Sequence, residues 1–183
     1  MLMSVAELRQ FIETEEEDQV LEARLQALEL LIRAYTCNNF QIRAFRSVAI
    51  AASPSSLLTN LPIPFRIGDT LQITESELQP DILVTVTDIK NGIITVKEEL
   101  FDESAVVITK VKYPLDIKIG VVNLVKWELN NRDKVGVASE TISRHSVTYF
   151  NMDGDNTLMG FPKSLLGFLK PYRKARFGRG LGT

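Results

Sequence analysis

The segment ILVTVTDIKNGIITV, residues 82–96, carries the clearest structural signal in the sequence. It contains two runs rich in β-branched residues, and the pair Asn91–Gly92 lies between them. An Asn-Gly pair between two such runs is the strongest short signal for a β-hairpin, because both central residues of a type I′ turn need a positive φ. Residues 82–96 therefore predict two antiparallel strands joined by a tight turn.

Three more short runs flank this hairpin, at residues 48–50, 71–74 and 106–109. They are apolar and largely β-branched, and turn residues such as Gly68, Asp69 and Asp102 separate them. Five short strands in one segment predict a small β-barrel or a β-sandwich, and the spacing leaves both open. We assign residues 45–114 to this β module.

On either side of the β module the apolar period changes to that of a helix. Before it, apolar residues recur at spacings of four, three, four and three, namely Leu21, Leu25, Leu28, Ile32 and Tyr35. After it, a second stripe follows the N-cap candidate Asp116, namely Ile117, Val121, Leu124 and Val125. Ser4 and Glu7 form a capping box, and Pro162 fits the start of a last helix.

The sequence thus predicts an α+β fold with a small helical bundle core of about four helices. Residues 1–44 and 115–171 form that core, and residues 45–114 are inserted in it. Residues 172–183 are basic and rich in glycine, so we expect an extended C-terminal tail that cannot pack a core by itself.

Charge argues against a protein whose whole surface binds nucleic acid, since the formal net charge is only -2. The predicted β module is acidic, and between residues 71 and 111 its only basic residues are Lys90, Lys97 and Lys110. An acidic surface repels phosphate. The two ends of the chain also differ in charge: the first 29 residues are acidic, whereas the end is basic, with no acid after Asp155. Such asymmetry is typical of an interacting tail, although a solvated terminus gives the same pattern.

Candidate chemistry is sparse. His145 is the only histidine and Cys37 the only cysteine, and no local nucleophile signature accompanies them. Asp153 and Asp155 imitate the start of a calcium loop, but the position that needs a bidentate Glu is Ser164. We therefore predict no catalytic residue, no metal site and no cofactor, and we expect that the protein is not an enzyme.

Several strings, in this order, are similar to one protein family. They are ELR at 7–9, LIRAYTCNNF at 31–40, KIGVV at 118–122, WELNNR at 127–132, VASETISRHSVTY at 137–149, GFP at 160–162 and LKPYRK at 169–174. With them the chain resembles the head-tail connector (adaptor) proteins of long-tailed bacteriophages and related prophages. The stretch from Phe40 to Pro114 departs from the family, whose small members have a shorter connection there.

The resemblance implies a structural role in the neck of the virion, after synthesis in the host cytoplasm. Copies would form a ring, usually twelve-fold, on the portal protein. The ring would extend the channel for double-stranded DNA, which passes without sequence specificity, and would receive the stopper or tail completion protein. The sequence has no apolar run near the roughly 18 residues that a membrane helix needs, so we expect no membrane partner. Portal binding is expected from the basic segment, through Lys170, Tyr172, Arg173, Lys174, Arg176, Phe177 and Arg179. Subunit or channel contacts are expected from Arg144, His145 and Ser146.

One alternative stays open from the residues alone. The protein could be a soluble β-module protein that binds another protein or nucleic acid, with the helices as an oligomeric scaffold. Assembly with a portal protein distinguishes the two.

Overall fold

The structure is a computed structural model that describes residues 2–59, 65–79, 82–131, 139–142, 145–148 and 156–175. The chain divides into two compact units. One comprises Met1–Leu2 and Asn38–Tyr113, and the other comprises Met3–Cys37 and Pro114–Thr183. Each unit has its own set of buried apolar side chains.

The first unit contains a closed barrel of six strands. The strands are β1 (Gln41–Ala52), β2 (Ser56–Leu58), β3 (Thr70–Thr74), β4 (Leu83–Lys90), β5 (Ile93–Val96) and β6 (Glu103–Val111). Their order around the barrel is β1-β2-β5-β4-β3-β6, and β6 pairs back with β1. Every neighbouring pair is antiparallel. Closure gives the strands partners on both sides, so this sheet has no open edge.

The β4–β5 hairpin has the turn that its sequence predicts. Asn91 has φ 51° and Gly92 has φ 81°, which are the two positive values of a type I′ turn. Next to the turn, Ile89 lies opposite Ile94, and Ile94 is fully buried in the barrel. The prediction of this hairpin is confirmed.

Alternate residues of the strands fill the barrel interior. This core consists of Ala49, Ala51, Leu57, Leu71, Ile73, Val84, Val86, Ile94, Val96, Val106 and Ile108, together with two loop residues, Phe65 and Leu100. Phe65 comes from the β2–β3 connection, and Leu100 comes from the β5–β6 connection. These two connections leave the strands at opposite ends of the barrel, so one loop side chain joins the core from each end. Five of the six strands were predicted, but β2 was not, because its three residues are too few to give a strand pattern. The choice left open between barrel and sandwich resolves to a barrel.

The second unit contains helices and short hairpins. The helices are α1 (Val5–Leu8), α2 (Asp18–Thr36), α3 (Leu115–Asn131) and a 3-10 helix (Lys163–Tyr172). Two antiparallel pairs accompany them: β7 (Ser139–Ile142) with β8 (His145–Thr148), and β9 (Thr157–Leu158) with β10 (Phe161–Pro162).

Apolar stripes of these helices form the core of the second unit. Its fully buried apolar side chains are Leu8 of α1, Leu21, Leu25 and Ile32 of α2, Ile117, Val121, Leu124 and Val125 of α3, and Leu169 of the 3-10 helix. Polar contacts join the same elements. Lys118 Nζ of α3 donates to Glu7 Oε1 of α1 at 2.9 Å. The guanidinium of Arg24 in α2 lies 3.4 Å from Glu128 of α3.

The predicted fold class is wrong, because the structure has no helical bundle core in the part that it describes. The dominant element is the closed six-stranded barrel, and among the described helices only α2, with 19 residues, and α3, with 17, are long. The first predicted helix has only four residues. The last is a 3-10 helix, whose buried residues Leu166 and Leu169 are three apart. That spacing matches a period of three residues per turn, which an apolar stripe alone does not distinguish from an α-helix.

Residues 41–44 need a second correction. We assigned them to the helical core, but they form the start of β1. Their pattern is irregular because the pairing of β1 with β6 shifts register between Gln41 and Arg46. A bulge of this kind breaks the strict alternation by which strands are recognised in sequence.

Candidate interaction surfaces

The last residue of the 3-10 helix, Tyr172, and the two residues after it are bound to α2 and α3. The hydroxyl of Tyr172 donates to the carboxylate of Asp116, at 2.8 Å from Oδ1 and 2.7 Å from Oδ2. The guanidinium of Arg173 lies over the ring of Tyr35, 5.0 Å from its centroid. The backbone N–H of Lys174 donates to the carbonyl of Thr36 at 2.8 Å. The segment therefore reaches both the start of α3 and the end of α2.

The electrostatics of this segment follow from those contacts. The hydrogen bond to Asp116 raises the pKa of Tyr172 above its ordinary value, because ionisation would lose the bond and bring two anions together. At the other helix, Lys174 satisfies a carbonyl of the last turn, where α-helices have unpaired acceptors and a partial negative charge. Arg173 adds a positive charge at the same helix end.

The expected portal-binding residues thus fall into three groups. Lys170 and Lys174 have exposed side chains. Tyr172 and Arg173 contact Asp116 and Tyr35 of their own unit. Arg176, Phe177 and Arg179 lie outside the described residues. Asp116 and Tyr35 had no place in the predicted site, and no local signal could have found them, since Asp116 is 56 positions from Tyr172.

The expected subunit or channel contacts fall on the β7–β8 hairpin. His145 lies opposite Ile142, and Ser146 lies opposite Thr141. Arg144 lies outside the described residues. The prediction that this segment is extended is confirmed for His145 and Ser146, and their contact with a neighbour stays a prediction.

A groove lies on the surface of the second unit between α3 and the 3-10 helix. Its volume is about 310 Å³. It is lined by Asp116, Ile119, Gly120, Asn123, Ser164, Leu165 and Phe168. Leu115, one turn before Ile119 in α3, is 72% exposed, and Ile119 itself is 42% exposed. This face of α3 therefore presents apolar side chains that the unit does not cover.

A second apolar surface lies on the outside of the barrel. Ile50 of β1 is opposite Leu58 of β2, and Leu58 is opposite Ile93 of β5. All three are exposed, as is Val48, two residues before Ile50 on the same face of β1. The sequence carries a signal for this row, because residues 48–52 are all apolar and such a run is typical of a strand covered on both faces.

In the part of the chain that the structure describes, no group of three or more His, Cys, Asp or Glu side chains could hold a metal ion. A cleft of about 710 Å³ lies between residues 9–16 and α3, and it is lined by Glu13, Glu15, Glu16 and Lys126 among others. Cys37, half-buried, ends α2 in the left-handed conformation.

Among the described helices, none has the length and apolar character that crossing a membrane requires.

Comparisons with known proteins assign the chain to no family. No protein-family model matches the chain, and no curated protein matches it.

Proposed function

We propose that the protein is a structural head-tail connector of a long-tailed bacteriophage. Copies form a ring on the portal protein in the neck of the virion, extend the channel for double-stranded DNA and receive a stopper or tail completion protein. The observation that carries the proposal is the ordered series of sequence strings that resemble the adaptor family, above all residues 137–149.

Two features of the structure support a role in assembly. Apolar side chains of α3 and of the barrel exterior are exposed, and such surfaces are typical of chains that pack against other proteins. Exposed basic side chains at Lys170 and Lys174 lie on a segment that is bound to two helices. A segment fixed in this way offers its charges to a partner with less loss of conformational entropy than a free tail.

The portal is the proposed partner of the basic segment. Lys170 and Lys174 lead into Arg176, Phe177 and Arg179, which combine positive charge with an apolar anchor. We expect contacts with carboxylates of the portal, each worth only about 0.2–1 kcal/mol if exposed, which the symmetry of a ring repeats many times.

The test is docking onto portal rings prepared from the phage genome that encodes the chain. A chain that ends at residue 175 keeps Tyr172, Arg173 and Lys174 in place, so its melting temperature should equal that of the full chain. It should nevertheless fail to dock in sedimentation and electron microscopy. Lys174→Glu should weaken docking, whereas Lys112→Glu, an exposed lysine in the barrel unit, should not.

The outcomes distinguish the proposed role as a connector from the proposed attachment surface on the basic segment. Failure of the full chain to dock would overturn the proposed function. Undiminished docking of both the shortened chain and Lys174→Glu would move the attachment surface away from the basic segment.

The barrel row favours a second candidate function, namely a module that binds another protein. Ile50, Leu58 and Ile93 offer an apolar surface, which suits a protein partner better than a nucleic acid. Ile50→Lys should remove such binding while leaving portal docking intact, because the side chain is exposed and the barrel interior is untouched.

A further inference from the structure

A polar cleft lies on the barrel unit where the pairing of β1 with β6 is irregular. Between Gln41 and Arg46 β1 advances five residues, whereas their partners in β6, Val111 and Thr109, are only two residues apart. The surplus residues of β1 form a wide bulge, and Arg43 lies in it. The bulge and the neighbouring strands border a cleft of about 430 Å³, which is lined by Asn39, Gln41, Arg43, Arg46, Thr74 and Thr109.

The lining of this cleft combines hydrogen-bond donors with positive charge. Each lining residue carries an amide, a hydroxyl or a guanidinium group, and none of the described lining residues is an acid. Arg43 is exposed, and no other described residue pairs with its guanidinium. Arg46 donates through Nη2 to the carboxylate of Glu75, which leaves its other N–H groups available. The cleft therefore has the composition of an anion site.

Thr109 is the most deeply buried residue of the lining, and it lies in the middle of a polar row across three strands. It is opposite Arg46 of β1 and opposite Gln72 of β3. The residue is only 2% exposed, and among the described residues its hydroxyl has no hydrogen-bond partner. A buried hydroxyl normally has one, because removal from water without a new bond costs free energy. The hydroxyl of Thr109 therefore points to a ligand in the cleft.

We propose that this cleft binds the phosphate group of a small molecule, either as the free ion or as a monoester. Two guanidiniums match the charge of about -1.5 to -2 that such a group carries near pH 7. Arginine also forms paired hydrogen bonds with phosphate oxygens. The amide and hydroxyl donors complete the set, and the cleft volume is that of a small-molecule site.

A small phosphate is favoured over the backbone of a nucleic acid. An extended polyanion would also meet the acids around the cleft, beginning with Glu75 and Glu77, which are both exposed. A compact ion contacts only the donors of the lining. A carboxylate is disfavoured because its single charge matches one arginine and leaves the other without a counter-ion. This site does not rest on the proposed role as a connector.

The test titrates the full chain with inorganic phosphate and, separately, with glycerol phosphate, at about pH 7.5 where both are largely dianions. Two-dimensional ¹H–¹⁵N nuclear magnetic resonance at constant ionic strength gives the readout. We expect saturable shifts of the backbone amides at 39–46, 74 and 109, with Kd on the order of 1 mM. Tighter binding of glycerol phosphate assigns the site to a monoester, and equal affinity assigns it to the free ion.

Three variants locate the site. Arg43→Ala should weaken binding about tenfold, and Thr109→Val, which keeps the shape of the side chain, should weaken it about threefold. Arg66→Ala is the matched control, because Arg66 is an exposed arginine of the same unit that does not line the cleft. Circular dichroism and melting temperature establish that each variant is folded. Position 43 is exposed, so Arg43→Ala keeps the test decisive even where Thr109→Val does not fold.

Four results would overturn the site: no saturation by either phosphate, equal binding by Arg43→Ala and wild type, an equal loss in Arg66→Ala, or acetate that binds as tightly as phosphate. A short DNA duplex is the last competitor. We expect it to leave the phosphate shifts unchanged, and displacement of phosphate by the duplex would assign the cleft to a nucleic acid and reject the small molecule.

Discussion

The ring of Phe168 occupies the space beside Gly120 that a larger residue would need. An ideal Cβ at position 120 would lie 2.4 Å from Cε2 of Phe168 and 2.4 Å from its Cζ. Gly120 is itself buried in the middle of α3. The absence of a side chain there lets the 3-10 helix approach α3, and the same approach forms one wall of the groove between these two helices.

Gly120→Ala should therefore destabilise the protein, although alanine favours helices. In an open helical position the change would stabilise by about 0.5–1 kcal/mol. Here the new methyl group displaces a packed aromatic ring, and overpacking costs about 1–3 kcal/mol. We expect a net loss of about 1–2 kcal/mol in the free energy of unfolding, measured with urea.

Two controls isolate the contact. Gly167→Ala should change stability little, because nothing lies within 4 Å of the added Cβ. In a Phe168→Leu background, Gly120→Ala should cost less than in the wild type. Additive effects of Gly120→Ala and Phe168→Leu would contradict the account.

Two local features of the fold were predictable from the sequence, whereas two tertiary contacts were not. The turn at Asn91–Gly92 was predictable because its signal is local and stereochemical. The same holds for Ser4, whose hydroxyl accepts from the N–H of Glu7 at 3.1 Å as a capping box requires. The contacts of Gly120 with Phe168 and of Asp116 with Tyr172 were not predictable, since they join distant segments and depend on tertiary packing.

The prediction of a helical bundle core was wrong for a different reason. Apolar periodicity shows which face of a segment is covered, but not which element covers it or how many residues stay helical. Closure of the barrel was equally hidden, because it depends on the pairing of β6 with β1 across the whole module. The candidate surfaces follow the same rule: the basic segment is visible in sequence, whereas the groove appears only after folding.

A largely buried ion pair in the barrel unit, between Asp69 and Lys110, gives the second prediction. Lys110 Nζ lies 2.5 Å from Asp69 Oδ2, and the two side chains are only 15% and 18% exposed. Asp69 also accepts the backbone N–H of Arg66 at 2.8 Å. Asp69→Ala should cost about 2–3 kcal/mol in urea unfolding, because it leaves a poorly solvated ammonium without its partner.

The double variant Asp69→Ala with Lys110→Met should recover part of that loss, since no charge is then left unpaired. Asp88→Ala is the matched comparison: it breaks the pair with Lys90, whose side chain is 79% exposed, and should shift the urea midpoint little. Equal effects of Asp69→Ala and Asp88→Ala would contradict the importance of burial.

Glu103 gives a prediction about pH. The hydroxyl of Ser76 donates to its carboxylate at 2.6 Å, and this bond, with those from Glu77 N–H and Gln79, holds the pKa of Glu103 below its ordinary value. A lowered pKa contributes stability that is present above the ordinary value of about 4.3 and is lost as pH falls through the folded value. Glu103→Gln should therefore lower the melting temperature at pH 7 more than at pH 3.

The acid effect should be local to the β3–β4 connection, because Glu103 holds residues 76–79. Hydrogen exchange at acidic pH should accelerate there before it does in β4 or β5. Ser76→Ala should reproduce part of the Glu103→Gln effect. A melting difference independent of pH would show that the carboxylate is not the responsible group.

Tyr172 gives the last prediction, at the opposite end of the pH scale. Because the hydrogen bond to Asp116 raises its pKa, the stability it contributes is present below the ordinary tyrosine value of about 10 and is lost as pH rises through the raised value. The chain has four tyrosines, so ultraviolet absorbance of phenolate should show a late step that Tyr172→Phe removes and Asp116→Asn moves to lower pH. The same two variants should loosen the anchored segment at neutral pH and weaken portal docking, since Lys174 would lose its fixed position. A late step that survives Tyr172→Phe would assign it to another tyrosine and leave the segment without this anchor.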